Sequence, residues 1–228
     1  MNPLKVTAYP AEPVVGYRDG LHLDGPMAYG YFASMSRKEA DTLPDEPVDF
    51  PLPLATWGYP LSPYWGWRCS SACADWQAET KAEIRRRSIT QEMSEWGRRD
   101  SVQIGSGRYK PCDLGYPAHI ADCITWYAVG NRGEVQRLLD AVPAIGKLTN
   151  KGFGRIRSWR VEETSADWSI RGPTGILMRP VPASIAREEG IIIENYGAAR
   201  CGMRCPYYHV SRQALCLIPR EEERAALA

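Results

Sequence analysis

The sequence predicts an α+β fold: a βαββαβ core, a long insertion carrying an arginine-rich helical thumb, and a small β-rich C-terminal extension. Three observations lead there. A strand, a well-capped helix, a glycine-bearing loop and another strand follow one another between residues 123 and 162. A strand and a helix with matching periodicity stand at the N-terminus. Between these halves lies a stretch, residues 36–100, with no core period and with clustered arginines.

From the N-terminus, Leu4, Val6 and Ala8 alternate with Lys5, Thr7 and Tyr9, the period of a strand, over residues 4–15. Pro10 and Pro13 predict an edge or irregular second half, because proline donates nothing to a sheet ladder. GYRDG at 16–20 predicts a turn. Over residues 21–35, Leu23, Met27, Tyr31 and Met35 recur four apart and predict a first helix, interrupted near Gly25 and Pro26. Residues 36–63 are rich in proline and acids and predict a long surface loop, followed by a strand around Trp57, Tyr59, Tyr64, Trp65 and Trp67. With Asp75 as cap, good helix formers run to about Gly97. Their apolar stripe (Trp76, Ile84, Met93, Trp96) is thin, and Lys81, Arg85, Arg86, Arg87, Arg98 and Arg99 surround it. A helix polar on most sides projects into solvent or binds something. Residues 101–109 alternate enough for a second core strand.

The next part is the most legible. Residues 123–129 (CITWYAV) read as a buried strand. Asn131 is a helix N-cap with Glu134 three residues on. Val135, Leu138, Leu139 and Val142 form an i, i+3, i+4, i+7 stripe, and Pro143 ends the helix. The loop AIGKLTNKGFG follows, then a strand at 155–162 in which Ile156 alternates with Arg155 and Arg157. Together with the first strand and helix this order is ferredoxin-like (RRM-like). Residues 1–164 are therefore expected to form the core, with the thumb inserted at about 36–100. Residues 165–228 are expected to pack on it as the extension, with strands at 175–178, 191–195 and 207–218.

Composition bounds the function. The 228 residues carry a net charge of only +1, so clustering of basic residues matters more than their sum. The N-terminal MNPLKVTAYPAEPVV has no basic head followed by an apolar run, and no stretch approaches the roughly 20 apolar residues of a membrane span. The chain reads as cytoplasmic, with no membrane partner. Seven irregularly spaced cysteines do not describe a disulfide framework. Eight Trp and 12 Tyr against three Phe suit interfaces and base stacking, and equally suit half-buried positions.

The loop Gly146-Lys147-Leu148-Thr149-Asn150-Lys151-Gly152-Phe153-Gly154-Arg155 is the strongest feature. Glycines admit positive φ and close backbone approach, and successive N–H groups in such a turn can cradle an anion. Lys147, Lys151 and Arg155 add fixed positive charge, as gripping an RNA sugar-phosphate chain requires. The order of a Walker A loop is absent. A tight connection with surface lysines would look the same on pattern alone.

Residues 143–156, with GK-x4-GFGRI after a capped helix, resemble the glycine-rich loop of the RAMP superfamily of CRISPR proteins. HLDGPMAYG (22–30), WSIRGPTGILMRPVP (168–182), GAARCGMRCPYYH (197–209) and CLIP (216–219) resemble one branch, the Cas-five-like Csf-three subunit of type IV CRISPR systems. The resemblance implies a non-catalytic subunit that caps the 5′ repeat-derived handle of the CRISPR RNA. It also implies contacts with the Cas-seven-like backbone subunit and the large subunit, with target DNA nearby, and it calls for no metal or cofactor. RNA contacts would come from the loop, from the thumb arginines 85–87, 98 and 99, and from His22.

Two alternatives remain open. In related RNA-processing proteins a histidine acts as general base on the 2′-hydroxyl, and His22 stands where such a residue could sit, which would make the chain a metal-independent repeat endoribonuclease. Cys69-x3-Cys73 and Cys201-x3-Cys205 have spacings compatible with zinc, which would make it a zinc-stabilised interaction module.

Overall fold

The alternation at the N-terminus makes a strand. In the computed structural model, which describes residues 1–16, 20–58, 64–86, 110–220 and 227, β1 (Asn2–Pro10) buries Leu4, Val6 and Ala8. The expected irregular second half is a break after Pro10, beyond which β2 (Val14–Val15) joins a different sheet. α1 (Asp24–Ser34) starts three residues later than its periodicity predicts and has no side-chain cap. Within the expected loop, α2 (Arg37–Asp41) is set by a capping box between Ser36 and Glu39, an S-x-x-E signature that the absence of a longer period hides. A short pair, β3 (Thr56–Trp57) and β4 (Gly66–Trp67), follows.

The arginine-rich segment departs from the expected helical thumb. Its described part is a strand, β5 (Ala78–Arg86), paired antiparallel with β6 (Cys112–Ile120) along its whole length, from Ala78↔Ile120 to Arg86↔Cys112. Thr80, Ala82 and Ile84 alternate with Glu79, Lys81, Glu83 and Arg85, a period of two that helix propensity masks. Ladder pairing and burial of Ala82 override that propensity. Asp75 accordingly caps no helix. Residues 87–109 lie outside the described residues, with Arg87, Arg98, Arg99 and the strand expected at 101–109.

The most legible part folds as read. β7 (Ile124–Gly130) is followed by α3 (Arg132–Asp140), whose N-cap Asn131 accepts from the Glu134 N–H at 3.1 Å and whose Val135, Leu138 and Leu139 are buried. β8 (Ile156–Glu163) completes the unit. In the extension come β9 (Val181–Pro182), α4 (Ala183–Glu188), β10 (Ala198–Gly202) and β11 (Gln213–Leu217). The strand expected at 191–195 is instead a 3-10 turn at Ile193–Asn195. Residues 175–178 contribute only one bridge, Arg171↔Leu177.

The architecture is α+β with antiparallel sheets. β1 lies between β7 and β8 and is antiparallel to both, so Val6 faces Trp126 on one side and Val161 on the other. The far edge of β7 is held by residues 68–73. Cys69 bridges Ala128 and Cys73 bridges Thr125, and the Ser70 N–H donates to the Tyr127 carbonyl at 2.7 Å. α1 and α3 cover this sheet and touch at Gly30, where any Cβ would overlap the Leu138 carbonyl. Leu4, Leu23, Met27, Trp126 and Leu138 fill the core between them. A second core holds Ile170, Leu177, Val181 and Met203, with Trp57 contributed from β3. β2, β6 and β5 form a separate ribbon over a third, small cluster.

Candidate nucleic-acid interface

The glycine-bearing loop closes on itself. The Ile145 N–H donates to the Gly154 carbonyl at 2.9 Å, and the Ile156 N–H to the Pro143 carbonyl at 2.8 Å. Between these bonds, a 3-10 turn at Thr149–Lys151 is flanked by left-handed Leu148 (φ 60°) and Gly152 (φ 94°). The glycines do different work. A Cβ on Gly154 would overlap the Ile145 carbonyl oxygen, and one on Gly146 would lie 2.5 Å from the Val15 carbonyl oxygen. Gly152 has open space around it and serves only its positive φ.

The loop is tied to β2 by Lys147 N–H donating to the Val15 carbonyl (2.6 Å) and Gly154 N–H donating to the Pro13 carbonyl (2.8 Å). Because β2 pairs with β6, loop and ribbon form one unit. Leu148 and Phe153 pack against Val15, Ala82 and Ala118. Phe153 is thus half-buried in the loop's attachment, whereas Lys147, Asn150, Lys151 and Arg155 are exposed. On the ribbon, Arg85 and Arg86 are exposed, and Arg85 pairs with Glu83 (3.0 Å) and Asp113 (3.6 Å).

One wall of an open cleft of about 920 Å³ is this loop, through Gly146, Lys147, Asn150, Gly152 and Arg155. His22 lines it from just before α1, Tyr29 from within α1, and Tyr207 from the extension. The structure therefore brings His22 to the loop, as the sequence alone does not. His22 is nonetheless buried: its Nδ1 lies 2.9 Å from the Ser71 hydroxyl oxygen and its ring 4.9 Å from that of Tyr207.

Beneath the cleft lies a buried polar network that sequence reasoning missed. Asp24 and Arg179 are both fully buried, 3.6 Å apart. Arg179 Nη1 donates to the carbonyls of Trp67 and Cys69, each at 2.9 Å, and Nη2 donates to the Met203 carbonyl at 2.7 Å. The Cys69 thiol donates to Asp24 Oδ1 at 3.3 Å. Burial alone would lower the Arg179 pKa, but its acidic neighbours, Asp24 among them, outweigh it and the pKa is raised. Burial, then the neighbouring Asp24 carboxylate, pushes the Tyr207 hydroxyl well above its usual range. Asp24 belongs to HLDG, Arg179 to ILMRPVP, and Met203 and Tyr207 to GMRCPYYH, so three of the segments carrying the resemblance meet at one point. An arginine set between Ile-Leu-Met and Pro-Val-Pro is the signal that could have found it.

The cysteine pairs do not converge as a zinc site needs. Cys69 and Cys73 lie along one extended segment, which at about 3.3 Å per residue separates them by roughly 10–13 Å. Two thiolates on one ion would sit within about 4 Å of each other, given Zn–S bonds of about 2.3 Å. Burial also pushes up the thiols of Cys69 and Cys201, and raises Cys205 to about 11, disfavouring the thiolate that a metal needs.

The family whose model matches this chain, over residues 70–219, is the CRISPR type IV associated protein Csf3. The chain belongs to the Csf3 family. The resemblance to the type IV branch is thereby borne out. The Csf3 match contains the glycine-bearing loop, the β5–β6 ribbon, Arg179 and Tyr207, while HLDG precedes it. A search of curated protein sequences finds no match. Among solved structures, a chain in the cryo-EM structure of the Type III-B Cmr-beta bound to cognate target RNA is 8% identical, with a TM-score of 0.34. The alignment covers 71% of this chain and 61% of that one. The present chain thus spans less than two thirds of that chain's length, and at this TM-score the likeness carries no conclusion. Among the described residues, no helix is long and apolar enough to cross a membrane.

Proposed function

We propose that the chain is a non-catalytic RNA-binding subunit of a type IV CRISPR effector complex. In this reading it caps the 5′ repeat-derived handle of the CRISPR RNA and contacts the backbone and large subunits. The observation that carries the reading is the cleft itself: a rigidly closed, positive-φ loop presents Lys147, Asn150 and Arg155 to a space large enough for nucleotides. Lys151 lies exposed on the same loop. Membership of a type IV CRISPR family supplies the RNA for which such a grip has a use. The core is best read as ferredoxin-like. In support, residues 68–73, β7, β1 and β8 lie side by side in the order such a sheet requires, with residues 68–73 as an irregular second strand. Residues 1–164 then form the core, with the β5–β6 ribbon as the base of the thumb, and residues 165–228 the extension.

His22 takes a supporting role in this reading: buried against Ser71 and Tyr207, it shapes the cleft and orders the entry to α1. The test is a binding and cleavage assay on repeat RNA with the purified full chain in EDTA. Submicromolar binding without cleavage is expected, and binding should be unaffected by zinc chelation. RNA cutting that His22→Ala abolishes would establish the endoribonuclease instead.

A further inference from the structure

The cleft is more than a phosphate cradle. A cradle for a sugar-phosphate chain needs N–H groups and cations, and the loop supplies both. The rest of the cleft is of another chemistry: Leu21, Pro26, Val142, Pro143, Ile145 and Ile156 line it. Its volume of about 920 Å³ falls within the about 300–1,000 Å³ of clefts that enclose small organic ligands. Tyr29 also lines it, with half of its surface (51%) exposed. Next to Tyr29 in α1, Gly30 lets the helix pack directly on the Leu138 carbonyl of α3. Phe32, one turn further along α1, is 44% exposed. A half-exposed aromatic ring beside an apolar surface and two cations, Lys147 and Arg155, is the arrangement by which single-stranded nucleic acid is held, phosphates on the cations and bases on the rings.

We propose that bases of unpaired nucleotides enter the cleft and that Tyr29 is their stacking platform, while the loop holds the phosphates. This rests on the RNA-binding reading above and adds which part of the nucleotide the cleft takes. Stacking on a ring face tolerates any base, so the contact contributes affinity rather than sequence choice.

The test uses the full chain and two fluorescently labelled eight-residue probes: oligoadenylate, and an abasic ribose-phosphate oligomer carrying the same phosphates. Oligoadenylate is expected to bind about 5- to 150-fold tighter, the fold-change that one stacked base contributes. Tyr29→Ala and Tyr29→Leu should each remove most of that difference, and Tyr29→Phe, which keeps the ring, should retain it. The salt dependence of binding should stay unchanged in all three. Equal affinity for the two probes overturns the inference and leaves the RNA-binding reading standing, as does a wild-type preference that survives in Tyr29→Ala and Tyr29→Leu. Failure of both probes to bind overturns the RNA-binding reading itself.

Discussion

Replacing Lys147, Lys151 and Arg155 together by alanine isolates the electrostatic part of RNA capture. All three side chains are exposed, so the triple variant should fold with stability close to that of the parent. On single-stranded nucleic acid each neutralised phosphate adds about 0.7 to the slope of log affinity against log salt. Three lost contacts therefore flatten the slope by about 2. Between 100 and 300 mM KCl the parent should lose about tenfold more affinity than the variant, because a threefold salt change raised to the power of about 2 is close to ten. Fluorescence anisotropy with labelled repeat-handle RNA across that range reads the slopes directly. Parallel lines for parent and variant would refute the argument, since they would mean that these cations touch no phosphate.

Three further outcomes follow from the packing. Gly154→Ala should unfold the loop and lower thermal stability more than Gly152→Ala, which has open space and costs about 1–2 kcal/mol of left-handed strain; equal losses in a melting experiment would contradict the assigned contact with Ile145. Arg179→Met leaves the Asp24 carboxylate buried without its partner and should cost about 3–5 kcal/mol in urea denaturation, while adding Asp24→Leu should restore part of it. Burial and the neighbouring Asp24 oppose the Cys205 thiolate and raise its pKa to about 11, so only about a thousandth is ionised at pH 8. Iodoacetamide labelling of Cys205, followed by mass spectrometry, should therefore rise about tenfold per pH unit from 8 to 10, and a rate that levels off between pH 9 and 10, as that of an ordinary thiol does, would contradict that burial.

Legibility tracked how local the determining physics was. Asn131, Glu134 and the stripe of Val135, Leu138 and Leu139 specify α3 within about three turns, and the helix stands as read. The alternation from Leu4 to Ala8 likewise marks β1, which then pairs on both sides with β7 and β8. The ribbon shows the opposite case. Residues 78–86 carry both a helix-forming composition and a two-residue alternation, and pairing with β6, more than 25 residues away, decides between them. Of the candidate site, the glycines and cations of the loop were visible because their chemistry is contiguous, whereas Tyr29 and Tyr207 were not, because they reach the cleft from α1 and from the extension.

Membership of a type IV CRISPR family was legible from short segments distributed along the chain, since backbone-critical glycines and capped helices leave their mark in consecutive residues. What those segments do for one another was settled only in three dimensions. Asp24 and Arg179 are 155 positions apart, and neither alone is more than a charged residue in apolar surroundings. Folding places them 3.6 Å apart where water is excluded, so that neither side chain is buried without a partner of opposite sign. The same long-range packing sets Tyr29 and Tyr207 around the loop, because a cleft is a relation between surfaces that no single stretch of chain contains.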